Sequence, residues 1–135
     1  MTKDQQLCKP KRGKSMKSLD KKLDKLWTSA VLHTGCHKCL ICGATEKLNA
    51  HHIVGRRNLR LRWEVFNGVV LCTLHHVFGR QSAHQNPEWM HYEMEDKNWE
   101  NLQKIVCVMN EEKHWTAFDK EQRIKELEDY ISLLE

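Results

Sequence analysis

The chain has 135 residues and a mass of 16.0 kDa, with 40% apolar residues, 30% charged residues and only two prolines. That length suits one compact domain, since domains commonly run to about 100–150 residues. No apolar run reaches the roughly 18–20 residues that cross a bilayer, which excludes a helical membrane protein. The lysine-rich start lacks the apolar segment of a secretory signal, so a reducing, cytoplasmic setting is expected. Six cysteines beside nine histidines then point to metal ligands rather than disulfides.

The net charge of +4 hides a gradient. Residues 1–25 carry nine Lys/Arg against three acids, and residues 26–62 carry six against one. Residues 63–99 carry two against five, and residues 100–135 five against nine. The first half therefore offers positive potential to a polyanion, while the second reads as acidic helix surface.

Residues 1–17 show no periodicity and contain Pro10 and Gly13, so they read as a flexible basic arm. From Ser18, a plausible N-cap, the residues Leu19, Leu23, Leu26, Trp27, Ala30 and Val31 recur at helical spacing and form a core stripe. Gly35 is the expected stop. An irregular stretch follows from Cys36, leading into an extended run at His51, His52, Ile53 and Val54. Gly68 to Leu71 forms a second strand-like run. Residues 55–67 between them are arginine-rich and read as too polar for a core element.

Beyond Leu71 the pattern turns helical through His75 and Phe78. Asn86-Pro87-Glu88 marks a fresh helix start, with Asn as N-cap and Pro at the first position. The apolar series from Trp89 through Trp99 to Met109 continues as helix. Asp119 with Gln122 resembles a capping box for a last helix, whose stripe is Ile124, Leu127, Ile131 and Leu134. The expected organisation is a basic arm at 1–17, a core at 18–97 that includes the first helix, and a helical extension at 98–135 packed on that core.

Cys39-Leu40-Ile41-Cys42-Gly43 places two thiolates three positions apart before a glycine suited to a tight turn. Thirty residues after Cys42, Cys72-Thr73-Leu74-His75 repeats the spacing. Together Cys39, Cys42, Cys72 and His75 supply the four ligands of a closed structural Zn²⁺ site. Cys36 and Cys39 form a competing pair, and Gly43 favours Cys39 with Cys42. Cys8 and Cys107 have no partner at ligand spacing. His51, His52, His76 and His84 are left over. Neighbours on a strand face opposite ways, so His51 and His52 should have different tasks.

Cys39-x2-Cys42-Gly43, Ala50-His51-His52-Ile53, Asn67-Gly68-Val69-Val70-Leu71-Cys72 and His75-His76 resemble, in order, the pattern of HNH endonucleases. Leu23 to Trp27, His51 to Arg56, Leu61 to Trp63 and Ser82 to Pro87 are similar to segments of the phage recombination-type members, the NinG group. The likeness covers roughly residues 20–95. It implies an α+β fold: a small zinc-braced ββα-metal core, also called a His-Me finger, surrounded by α-helices. It also implies a metal-dependent endonuclease that hydrolyses DNA phosphodiester bonds and leaves 5′-phosphate ends, in a phage recombination or genome-processing setting.

Carried onto these positions, the resemblance makes His52 the general base. Asn67 would hold the hairpin loop and orient His52 through a backbone hydrogen bond. His51 and His76 would bind one catalytic divalent cation (Mn²⁺, Ni²⁺, Mg²⁺ or Zn²⁺). His84 stands open between third ligand, phosphate-facing residue and structural histidine, and His75 and His76 could exchange roles. Arg56, Arg57, Arg60 and Arg62 sit beyond the histidine pair, where guanidinium groups grip backbone phosphates on either side of a cut. Arg56 is the candidate for the reaction's charge stabilisation, and Lys11 and Arg12 in the arm are further DNA contacts. The expected partners are DNA, gripped with low sequence preference, and recombination proteins. Competing readings are a non-catalytic zinc-binding DNA or protein adaptor and an RNA-cleaving nuclease of the same family.

Overall fold

A computed structural model describes residues 15–135. Lys11, Arg12 and Cys8 lie outside the described residues. Among the described residues the fold is mixed α+β. Four α-helices surround one antiparallel hairpin: α1 (Met16–Thr34), α2 (Pro87–Lys97), α3 (Trp99–Val108) and α4 (Ala117–Leu134), with β1 (Leu48–His52) and β2 (Gly68–Cys72). A 3₁₀ turn at Val65–Asn67 leads into β2, and a π-type helical turn at Leu74–Phe78 follows it. No helix is long and apolar enough to cross a membrane among the described residues.

Helix α1 begins earlier than its sequence pattern indicates. Ser15 is the N-cap, its hydroxyl accepting from the Ser18 N–H at 3.1 Å, so Met16 and Lys17 belong to the helix rather than to the basic arm. Gly35 ends α1 as expected, and it sits where the chain passes close to β2. A Cβ there would lie 2.5 Å from Val70 Cγ2. The stripe of Leu19, Leu23, Trp27, Ala30 and Val31 is buried against Trp63, Val70, Ile124 and Leu127. Helix α4 thus shares one core with α1, and Lys120 of α4 pairs with Asp20 of α1 at 2.6 Å.

The segment between the strands corrects its polar reading. Leu61 is 0% exposed and Trp63 1%, so this loop contributes two core residues while its arginines stay outside. Trp63 packs beneath the loop, as a large indole there is expected to, whereas polarity averaged over the segment hides Leu61. The apolar series from Trp89 to Met109 is likewise two helices, broken at Asn98, whose φ of −142° is not helical. The last helix is capped by Thr116, with Asp119 closing a reciprocal capping box, rather than by Asp119 with Gln122. The Asn86 cap and Pro87 start of α2 stand as expected.

Pairing runs Leu48 with Cys72, Asn49 with Leu71, Ala50 with Val70, His51 with Val69 and His52 with Gly68. Gly68 is required by packing: a Cβ would lie 2.3 Å from Val31 Cγ2 and 2.8 Å from Trp27 Cζ2. The hairpin therefore lies directly on α1 at the level of His52.

Candidate functional site

Two clusters of metal-ligating side chains flank the hairpin. At its open end, where β1 begins and β2 finishes, Cys39, Cys42, Cys72 and His75 bring one ligand atom each to within 4.8 Å of one another. The loop that carries the first pair is a tight turn. Gly43 adopts φ +73°, its N–H donates to the Cys39 carbonyl, and the Cys39 N–H donates to Ala44, each at 2.9 Å. Gly43 serves the turn because it enters the left-handed region without a Cβ penalty. Cys36 is exposed and stands outside the cluster, which resolves the choice of pair in favour of Cys39 and Cys42.

The spacing suits a four-coordinate ion. Bonds of about 2.3 Å to sulfur and about 2.0 Å to nitrogen give tetrahedral edges of about 3.8 Å between sulfurs and about 3.5 Å between sulfur and nitrogen. Cys42 Sγ and Cys72 Sγ are 3.8 Å apart, and His75 Nδ1 lies 3.3 Å from Cys72 Sγ and 3.8 Å from Cys39 Sγ. The cysteines are free, and a sulfur–sulfur gap of 3.8 Å excludes a disulfide there. Burial pushes the Cys39 thiol up, but hydrogen bonds from backbone N–H groups of Cys42, Cys72 and Ile41 outweigh it and hold the thiol below its ordinary value. This cluster can hold a metal ion.

The second cluster is made of imidazoles alone. His51 projects from β1 toward His76 on the π-type turn and His84 on the following loop, and these three also gather their ligand atoms within 4.8 Å. The loop is closed by two backbone bonds, Ala83 N–H to His75 and His84 N–H to His76, at 2.8 and 3.1 Å. His84 Nε2 lies 3.1 Å from His76 Nε2. Two nitrogens bound at about 2.1 Å in adjacent octahedral positions would be about 3.0 Å apart. Burial, followed by the nearby charges of His76, His84 and His52, lowers the His51 pKa to about 4, so this ring is neutral and able to ligate at neutral pH. Burial and then His84 lower His76 in the same direction.

His52 faces the other way, as alternation along a strand requires. Its ring stacks on the Trp27 indole, with centroids 3.8 Å apart and planes 5° from parallel. Its Nε2 lies 2.9 Å from the Arg62 carbonyl oxygen, which can only accept. The Nε2 therefore carries the proton, and in the neutral ring Nδ1 keeps its lone pair. Burial lowers the His52 pKa, against the opposing pull of the Arg62 carbonyl.

Asn67 is 0% exposed. Its side chain accepts from the Val54 N–H and donates to the carbonyls of Val54 and Leu61, at 2.8, 2.9 and 3.1 Å. Its side chain holds the loop and its backbone carbonyl accepts from the Ile53 N–H, next to His52, at 2.9 Å, while the bond to the His52 ring comes from Arg62, one residue past Leu61.

The arginines differ in freedom. Arg56 and Arg62 both pair with Asp24, at 3.1 and 3.2 Å. Arg60 lies between Glu64 and Glu111 at 2.8 and 2.9 Å. Arg57 is exposed and makes no ion pair among the described residues. The same loop is braced from the C-terminal side, where Arg123 Nη2 donates to the Trp63 carbonyl at 2.8 Å and Trp115 Nε1 to the Leu59 carbonyl at 2.8 Å. Asp24 and Trp27 reach the histidine loop from a segment, Leu23 to Trp27, that the resemblance marks without giving either residue a role. Asp24 lies among lysines on a helix face, and Trp27 belongs to the core stripe. Comparison with family models, curated proteins and solved structures finds no match for this chain.

Proposed function

We propose that this chain is a metal-dependent DNA endonuclease of the ββα-metal, HNH kind, braced by a structural zinc at Cys39, Cys42, Cys72 and His75. The observation that carries the reading is the division of labour between adjacent histidines at the end of β1. His51 joins His76 and His84 in a three-imidazole cluster. His52 offers a bare Nδ1 on the opposite face, its Nε2 bonded to Arg62. A core filled for packing alone has no use for four histidines arranged this way.

The order hairpin, helical turn and helix, with ligands from β1 and from the turn after β2, supports a ββα-metal unit. Three thiolates and an imidazole at tetrahedral edge lengths support zinc in the first cluster. A divalent cation held by His51, His76 and His84 would supply positive charge to the phosphate and to the departing 3′ oxygen. The chain's own residues do the rest. His52 Nδ1 takes the proton of the attacking water, and the Arg62 carbonyl fixes the ring in the tautomer that leaves this nitrogen free. Arg57 and Arg56 meet the phosphates beside the cut, and Lys11 and Arg12 are further DNA contacts on the strength of their charge alone. Phage recombination is the setting that the sequence resemblance supports, with a recombination protein as an accompanying partner.

The test is nicking of supercoiled plasmid with and without Mn²⁺, by the full chain and by His52→Ala. Metal-dependent nicking lost in His52→Ala, with DNA binding and circular dichroism retained, supports the proposal. A folded, DNA-binding wild type that cleaves no plasmid, single strand or branched DNA would replace it with the adaptor reading. Cleavage confined to RNA would redirect the substrate assignment.

A further inference from the structure

The hairpin and its metal clusters do not by themselves hold His52; helix α1 does. The imidazole of His52 lies flat on Trp27, which is 2% exposed and is itself fixed by a 2.8 Å hydrogen bond from its Nε1 to the Glu64 carbonyl. One turn earlier on the same helix, Asp24 accepts from three donors on the far side of the loop. Trp63 Nε1 donates to Oδ1 at 2.8 Å, Arg62 Nη2 spans both oxygens at 3.2 and 3.4 Å, and Arg56 Nη2 donates to Oδ2 at 3.1 Å. Arg62 also places its guanidinium over the Trp63 ring at 4.6 Å. The side chain of Arg62 is thereby pinned, and with it the carbonyl that accepts from His52 Nε2 at 2.9 Å.

One detail indicates that this placement is imposed on Arg62 rather than chosen by it. Its Nε is buried without a hydrogen-bond partner among the described residues. A buried donor left unmade is unfavourable, so the Asp24 pairing and the Trp63 contact must outweigh it. An arginine whose task was phosphate contact alone would gain by swinging outward.

We propose that Asp24 and Trp27 are positioning residues for His52. Trp27 sets the plane of the imidazole, and Asp24, through Arg62, sets its rotation and its tautomer. This rests on the nuclease reading for its consequence in catalysis, but not for its geometry. Among the described residues, the contacts of both are with the protein's own side chains and backbone. Both lie on α1, outside the hairpin that carries the ligands, so α1 is part of the active site rather than a support beneath it.

The test uses the full-length, zinc-loaded chain and its variants Asp24→Asn, Trp27→Phe and Trp27→Leu. Long-range proton–nitrogen NMR spectra of the imidazoles report the His52 tautomer and its ring-proton shifts. Asp24→Asn should convert a single Nε2–H form into a mixture of tautomers. Trp27→Leu should move the His52 ring protons downfield as the indole ring current is lost, while Trp27→Phe retains part of the shift. In plasmid nicking, kcat should fall about 10- to 100-fold in Asp24→Asn, the scale of a misplaced catalytic group. KM for DNA should hold or drop there, because Arg56 and Arg62 are released toward phosphate. A merely structural role would lower melting temperature and leave tautomer and ring shifts alone in the folded fraction. That result would overturn the proposal. If the wild type nicks no nucleic acid, the NMR arm still decides the positioning claim, so the two failures are distinguishable.

Discussion

Replacing Gly68 by alanine should cost more than any other single-methyl addition to the hairpin. The added Cβ would lie 2.3 Å from Val31 Cγ2, 2.8 Å from Trp27 Cζ2 and 3.0 Å from Val31 Cγ1. Comfortable carbon contacts are about 3.5–4.0 Å, so the overlap exceeds about an ångström against Val31 and is about 0.7 Å or more against Trp27, both buried. Overpacking of this kind costs about 1–3 kcal/mol, and contacts this short place Gly68→Ala near about 3 kcal/mol. For a chain of this length that corresponds to a melting temperature lower by about 10–15 °C. Val31→Ala alone should cost about 2 kcal/mol through its cavity. Combined, the two should cost less than their sum by about 1–2 kcal/mol, because the cavity receives the new methyl. Urea unfolding of the four members of this cycle measures the coupling. An additive cycle, or a Gly68→Ala loss below about 0.5 kcal/mol, would refute the claim that close packing on α1 fixes this position. The surviving Trp27 contact should also leave nicking impaired in the double variant, since the displaced indole is the one stacked on His52.

Three further outcomes follow from described contacts. Arg57→Ala should reduce the slope of log affinity against log salt for duplex DNA by about 1, whereas Arg60→Ala, already paired with Glu64 and Glu111, should leave it within error. Equal effects would mean that the carboxylate pairs break on DNA binding. Metal analysis of the purified chain should give two equivalents, of which Cys42→Ser removes the one resistant to mild chelation and His51→Ala the other. Loss of a single common equivalent in both variants would merge the clusters into one site. Asp20→Asn should destabilise by about 2–4 kcal/mol in thermal or urea unfolding, since it leaves the Lys120 ammonium, 8% exposed, without its counter-charge. A loss under about 0.5 kcal/mol would mean that solvent already satisfies Lys120.

The readable parts of this molecule are those written locally. Two Cys/His pairs at a three-residue offset are visible in sequence because ligand spacing within a turn is a short-range property, and the cluster assembles from those four residues. Asn86-Pro87 likewise marks a helix start without reference to the rest of the chain. What linear reasoning misses is set by partners far along the chain. Trp63 is expected to pack beneath the loop and does so against α1 and α4, whereas nothing in an arginine-rich segment announces that Leu61 is buried. Asp24 lies 38 residues from Arg62 and 39 from Trp63, so its three donors cannot be inferred from the helix face it occupies. Asn98 interrupts an apolar pattern that itself runs on unbroken, and only the turn between α2 and α3 exposes the break. Thr116 is hard to tell as the cap from sequence because Asp119, three residues on, offers an equally good capping side chain.

The five-pair hairpin has one further consequence. A slip of one residue in its register would exchange the faces of His51 and His52, delivering the would-be base to the metal cluster and the would-be ligand to Trp27. The strand's composition offers little resistance to such a slip, since Leu48 to His52 is uniformly half-buried. Proofreading of the register falls to the two ends. Asn67 locks the loop at one end, and the Cys72 thiol belongs to a four-residue knot at the other. Loading of the first cluster would tie Cys72 of β2 to the Cys39–Cys42 turn that precedes β1, and so narrow the registers open to the two histidines.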